Sequence, residues 1–235
     1  AAGVDGLKMR ATLSIEAAAA ALLLIDLQEE QRQVPHYAVA GFEVVLANAQ
    51  RLLAAARVQG LRVIHTAYRR DFDACPPRPL EPRMPDGTAF FSDKLSPLIA
   101  LCPEVAPQPG EALLFKNDAS AFCDGELAPR LRGADVEWLI LAGVWTEACV
   151  AATVRDAIAQ GLRVLLVKDA CGSGTVAMHQ TGILNLANRL SGGAVADTDT
   201  ACRLIAGGEA AVWMPERPVP ILFTLEDAAQ HYDAL

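Results

Sequence analysis

Several things are missing from this chain, and each absence removes a class of function. No apolar run approaches the ~18 residues that a transmembrane helix requires. Basic residues are in deficit: 20 Lys and Arg stand against 28 Asp and Glu, a net charge of −8 with a pI near 5.0. A nucleic-acid partner would want a basic face, so none is expected. The six cysteines, at 75, 102, 123, 149, 171 and 202, contain no CxxC pair and no metal-ligand spacing. Neither a disulfide framework nor a zinc site is therefore expected; the thiols suit a reducing, cytoplasmic compartment. There is no internal repeat and no low-complexity tract.

What is present points to a large buried core. Hydrophobic residues make up 52% of 235 positions and mean hydropathy is +0.25, enough for one sizeable α/β domain. The N-terminal stretch needs separate treatment. Lys8, Met9 and Arg10 followed by alanines imitate a signal peptide, but Glu16 interrupts the stretch and Asp26 ends it. Residues 1–18 read as an N-terminal extension, with Ala1 to Gly6 a cloning remnant and Met9 the natural start.

From there the pattern alternates. Strands are expected at Ala20 to Asp26, Leu61 to Thr66, Glu111 to Phe115, Val136 to Ala142, Leu162 to Val167 and Gly193 to Ala196. Helices are expected at Phe42 to Gln59, Glu126 to Arg132, Ala151 to Gln160, Val176 to Leu190 and Asp197 to Ile205. This alternation specifies a three-layer α/β/α sandwich around a doubly wound, mostly parallel six-stranded sheet, occupying residues 19–206. Residues 207–235, with Trp213 and Phe223, read as a C-terminal extension packing on the body or on a neighbouring subunit. Residues 68–110 hold nine of the 14 prolines and form a long irregular excursion, the kind of loop that tends to carry function.

Three expected strands end on reactive groups: Asp26 after Leu22-Leu23-Leu24-Ile25, Lys116 after Leu113-Leu114-Phe115, and Cys149 in Gly143-Val144-Trp145-Thr146-Glu147-Ala148-Cys149-Val150. In a parallel sheet these ends converge on one edge, where ligands bind. A thiol at a helix start is expected to have its pKa lowered by the helix dipole. Taken singly, the residues have blander readings: a buried small hydrophobe, a turn cap and a solvated strand end.

The segments Leu24-Ile25-Asp26-Leu27-Gln28, Lys116-Asn117-Asp118-Ala119-Ser120-Ala121-Phe122 and Gly143 to Val150, with Asp169-Ala170-Cys171-Gly172-Ser173, resemble those of the isochorismatase-like cysteine hydrolases. The resemblance runs in order over roughly residues 20 to 205. It implies a triad: Cys149 as nucleophile, Asp26 as general base and then acid, and Lys116 as electrostatic partner. It also implies a cis peptide at Val144–Trp145 and an oxyanion hole from the backbone N–H groups of Trp145 and Cys149.

Relatives of the nicotinamidase type hold a metal through an acid and two histidines after the second strand. Here that region is His65-Thr66-Ala67-Tyr68-Arg69-Arg70-Asp71, without a second histidine, so no metal and no cofactor are expected. His65 and His179 read as structural histidines.

The implied activity is metal-independent hydrolysis of a small amide, carbamoyl or ureido compound through a thioester acyl-enzyme. The alternatives are vinyl-ether hydrolysis of the isochorismatase type, which needs no thiol, or a non-catalytic binding subunit. Candidate substrate contacts are Trp145, Gln28, Arg69, Arg83 and Phe90. Phe91 is a further apolar wall, and Arg70 and Arg78 are further guanidiniums that could fork a substrate carboxylate. Family members commonly assemble, so a homodimer or homotetramer is expected.

Overall fold

A computed structural model describes residues 10–235; the reading of Met9 as the start lies outside them. The core strands are β2 (Ala20–Ile25), β3 (Arg62–Tyr68), β4 (Ala112–Lys116), β5 (Trp138–Val144), β6 (Arg163–Gly172) and β7 (Ala194–Ala196). All of these pair in parallel, in the spatial order β7-β6-β5-β2-β3-β4. The chain moves outward from β2 through β3 to β4, then returns to place β5 on the other side of β2. The strand order therefore reverses between β2 and β5, whose C-terminal ends form the crevice where such sheets bind ligands.

Burial follows from strand periodicity. Leu22, Leu24, Ile140, Ala142, Leu165 and Val167 face one layer. Their alternates Leu23, Ile25, Leu139, Leu141, Val164 and Leu166 face the other. The first layer is covered by α2 (Phe42–Val58) and α6 (Thr198–Ile205), the second by α3 (Leu127–Arg132), α4 (Ala151–Ala159) and α5 (Val176–Ala187). Because β2 and β5 are covered on both faces, both are buried along their whole length.

Among the described residues the sheet has eight strands, two more than the sequence pattern suggests. The added pair, β1 (Arg10–Leu13) and β8 (Ala210–Trp213), is antiparallel, with Arg10 opposite Trp213 and Leu13 opposite Ala210. β8 joins the sheet beside β7 through Val195 and Trp213. Each strand is only four residues long and its partner lies about 200 residues away, so no local alternation announces it. The C-terminal stretch thus belongs to the chain's own sheet. Trp213 is fully buried, and α7 (Ala228–Ala234) packs against α5. Among the described residues, no helix is long and apolar enough to cross a membrane.

Candidate active site

The three reactive groups meet at the β2/β5 crevice. Asp26 follows the last residue of β2 in a left-handed conformation, φ 53°. Its N–H donates to the Thr66 carbonyl on β3 at 3.1 Å, and Thr66 Oγ1 donates to Oδ1 at 2.9 Å. The second carboxylate oxygen faces Lys116 Nζ at 2.8 Å. Lys116, at the end of β4, reaches across the end of β3 with its ammonium 4.5 Å from the Tyr68 ring centroid. The ammonium also donates to the Asp118 and Ala119 carbonyls at 3.0 and 2.8 Å and to Cys149 Sγ at 3.3 Å. It therefore bridges the carboxylate and the thiol. Both members of the ion pair are almost fully buried, where an unpaired charge would be very costly.

Cys149 sits in a π-helical turn, Thr146–Val150, that leads into α4. Thr146 Oγ1 donates to the Gly172 carbonyl of β6 at 3.0 Å and meets His179 Nδ1 at 2.8 Å. Thr153 Oγ1 donates to the Cys149 carbonyl at 2.7 Å. The Val144–Trp145 peptide is cis. Just upstream, Gly143 lies so close to β2 that a Cβ there would stand 2.1 Å from the Ile25 carbonyl oxygen. Only glycine lets the two strand ends approach this closely.

Electrostatics at the thiol differ from the helix-start expectation. Burial, reinforced by the Asp26 carboxylate, pushes the Cys149 thiol up to about 12 against the opposing pull of Lys116. Desolvation of the thiolate outweighs any contribution from the helix terminus. Burial also works against the Lys116 charge, but Asp26 and Cys149 prevail and hold the ammonium above the usual lysine range. The resting site is thus a protonated thiol beside an Asp–Lys ion pair.

A cavity of about 440 Å³ opens above these groups, lined by Asp26, Cys149, Trp145, Tyr68, Phe91 and Glu30 among others. Of the expected substrate contacts, Trp145 and Phe91 are there. Trp145 is held by its indole N–H, which donates to Gln31 Oε1 at 2.8 Å.

The remaining candidates are elsewhere. Gln28 is fully buried: its amide nitrogen donates to the carbonyls of Tyr68 and Ile99 at 3.0 and 2.8 Å, and its oxygen accepts from the Tyr68 N–H at 2.9 Å. It ties loops together and has little capacity left for a ligand. Arg69 stacks on Phe115 at 4.3 Å, on the edge strand. Arg83 lies over Phe72 at 5.7 Å. Phe90 lines a separate hollow with Arg70 and Glu81. Arg70 is clamped by Glu81 at 2.5 and 2.7 Å, and Arg78 pairs with Asp118 at 2.9 Å. Among the described residues no guanidinium lines the cavity.

The structure instead adds Glu30, Ser92, Tyr37 and His36 to the cavity wall. Only the proximity of Glu30 to Asp26 in sequence hinted at any of these. The two histidines discussed from sequence pair with protein groups: His65 Nε2 meets Glu111 at 3.1 Å, and His179 Nε2 meets the Tyr232 hydroxyl at 3.1 Å.

A thiol, an ammonium and a carboxylate are thus gathered at the switch point of a mostly parallel α/β sheet, the thiol and the carboxylate sharing one buried ammonium. The family model described as the Isochorismatase domain matches residues 20–200, and the chain belongs to the isochorismatase family. It is 33% identical over 176 residues to a maleamate amidohydrolase of Pseudomonas putida, covering 71% of this chain and 78% of that one. It is 28% identical to an N-carbamoylsarcosine amidase of Arthrobacter sp., covering 79% and 70%. In fold it resembles a cysteine hydrolase from Pseudomonas syringae pv. phaseolicola, with a TM-score of 0.73 at 21% identity, covering 82% and 95%.

Proposed function

We propose that this protein is a cysteine amidohydrolase that cleaves a C–N bond of a small amide, carbamoyl or ureido compound through a thioester acyl-enzyme. The observation that carries the proposal is the buried Lys116 ammonium, 2.8 Å from Asp26 and 3.3 Å from Cys149, two groups that line the cavity. The names of the relatives, maleamate amidohydrolase and N-carbamoylsarcosine amidase, support the same reaction class.

The chemistry follows from the protonation states. Cys149 rests as a thiol, so its proton must leave as sulfur attacks the carbonyl carbon, and Asp26 is the base in reach. Lys116 keeps its charge throughout and offsets the negative charge as it moves from carboxylate to sulfur and substrate oxygen. The backbone N–H groups of Trp145 and Cys149 are assigned to the developing oxyanion. Collapse of the tetrahedral adduct breaks the C–N bond. Asp26 returns the proton to the departing nitrogen, releasing ammonia or an amine and leaving the acyl group on sulfur. Water, deprotonated by Asp26, then cleaves the thioester and restores the thiol.

No metal is assigned a part. The segment His65 to Asp71 holds a single histidine, and its Nε2 is paired with Glu111 at 3.1 Å. A homodimer or homotetramer is part of the proposal, supported by the exposed Leu222 and Leu225 of the C-terminal stretch and testable by light scattering.

The test is ammonia release from maleamate, N-carbamoylsarcosine, ureidoacrylate and simple diamides by the wild-type protein and by Cys149→Ala. Release by the wild type and none by the folded variant is the expected result. Undiminished release by Cys149→Ala would refute the nucleophile, and no release from any compound would refute the reaction class as framed.

A further inference from the structure

One acid in the cavity has no part in the proposed chemistry. Glu30, in the short helix α1 (Glu30–Gln33), is 4% exposed, yet it lines the cavity that holds Cys149. Ser92 Oγ donates to its Oε1. No Lys, Arg or His among the described residues forms an ion pair with it, in contrast to Asp26, which has Lys116. Burial, with the Asp26 charge adding to it, raises its carboxyl to about 7 despite the Ser92 hydrogen bond. A buried acid without a counter-ion is costly, and a site keeps one where a ligand completes its hydrogen bonding.

The surroundings hold Glu30 in place. Ser92, whose φ is 46°, is fixed by its carbonyl, which accepts from the Arg70 N–H at 2.8 Å; the Arg70 side chain is itself clamped by Glu81. The Tyr37 hydroxyl donates to the Phe90 carbonyl at 2.6 Å, and the Tyr37 and Phe91 rings lie 5.3 Å apart. Together with Trp145 they make an apolar wall around one acceptor. Apart from His36 and the backbone N–H groups assigned to the oxyanion, the cavity offers little that is complementary to an anion. Among the described residues no Arg or Lys lines the cavity, and the Lys116 ammonium is already shared among Asp26, Cys149 and two carbonyls.

We infer that Glu30 is the specificity-determining residue, accepting hydrogen bonds from N–H groups at the end of the substrate remote from the scissile carbonyl. The substrate class is then an amide that carries a second N–H donor, such as a diamide, a ureido compound or an ammonium compound, in preference to an amide that carries a carboxylate. This rests on the amidohydrolase reading for the identity of the reacting end, but its test does not need turnover.

The test uses a near-isosteric pair, succinamide and succinamate, which differ only in having an amide or a carboxylate at one end. Both are titrated calorimetrically into Cys149→Ser protein at pH 8, where no hydrolysis intervenes. The diamide is expected to bind about tenfold tighter or more, as charge-assisted hydrogen bonds weigh against charge repulsion. Glu30→Gln, made in the same background, should bring the two affinities within about threefold of each other.

Equal or tighter binding of succinamate, binding of neither compound, or an unchanged ratio in folded Glu30→Gln would each overturn the inference. Should Glu30→Gln fail to fold, the ratio in the Cys149→Ser protein decides alone. The amidohydrolase reading stands or falls separately, on ammonia release by the unsubstituted enzyme.

Discussion

Replacing Gly143 with alanine tests how the sheet sets the geometry of the site. Gly143 has a φ of 133°, and a Cβ there would stand 2.1 Å from the Ile25 oxygen and 2.7 Å from its nitrogen. Both contacts are with backbone, so no side chain can swing aside. The two strand ends must separate by close to 1 Å before the shorter contact reaches about 3 Å, the closest that real Cβ atoms approach. Ile25 immediately precedes Asp26, and Gly143 precedes the turn that bears Cys149, so this separation falls between the proposed base and nucleophile. A displacement of ~1 Å at a reacting centre costs on the order of 100-fold in rate.

Backbone strain at this φ adds roughly 1–3 kcal/mol of destabilisation, a fall of several degrees in Tm for a domain of this size. Gly161→Ala is the control. Its φ is also positive, 83°, but nothing lies within 4 Å of the added carbon, so it carries the strain without the overlap. The assay is kcat/KM for ammonia release together with thermal unfolding. Gly143→Ala should lose about 100-fold in kcat/KM and more stability than Gly161→Ala, which should keep its activity. Equal effects of the two substitutions would refute the argument that close approach of β2 and β5 sets the site.

Other expectations follow from the same geometry. Because burial and Asp26 push the Cys149 thiol up to about 12, its alkylation by iodoacetamide should be slow at pH 7 and still be rising at pH 10. Mass spectrometry should find the exposed Cys75 labelled first; an adduct appearing first on Cys149 would contradict this.

Glu81, clamped by Arg70, is held down to about 2. As pH falls below about 4.5 the unfolded chain takes up this proton before the folded one does. The stabilisation is therefore complete above that pH and lost progressively towards pH 2. Urea unfolding at pH 6 and pH 3 should show a smaller acid loss in Glu81→Gln than in the wild type, and an equal loss would count against the clamp.

Tyr232→Phe removes the hydroxyl 3.1 Å from His179 Nε2. It should cost about 0.5–1.5 kcal/mol in the same assay; no change would mean that this bond between α7 and α5 is not formed in solution.

Asp26 and Lys116 were legible because each ends an apolar run, and Cys149 because it lies in the segment Gly143 to Val150 that follows one; a strand's period and its terminus are local properties. The excursion over residues 68–110 was legible only as an excursion. Its prolines break any periodicity, so nothing local distinguishes Phe91, which faces the cavity, from Phe90, which does not. The loop arginines misled for a related reason. A guanidinium in a loop invites an anionic ligand, but Arg70 had already found Glu81 eleven residues away and Arg69 had found the Phe115 ring. Gln28 misled by its place two residues after Asp26: strand alternation would put both on one face, but β2 ends at Ile25 and Asp26 takes a left-handed φ of 53°, so the Gln28 amide turns away and is taken up by backbone carbonyls.

The sequence by itself determined the alternating α/β plan, the parallel core strands and the identity of the carboxylate, ammonium and thiol. All of these depend on hydrophobic periodicity and on what stands where it stops. The tertiary structure decided everything that depends on distance between remote segments. It joined β1 to β8, turned Glu30 and Ser92 into the cavity and left the cavity without an arginine. It also reversed the expected shift at Cys149, because a thiol's proton affinity responds to burial and neighbouring charge in three dimensions, and the start of a helix is only one contribution among them.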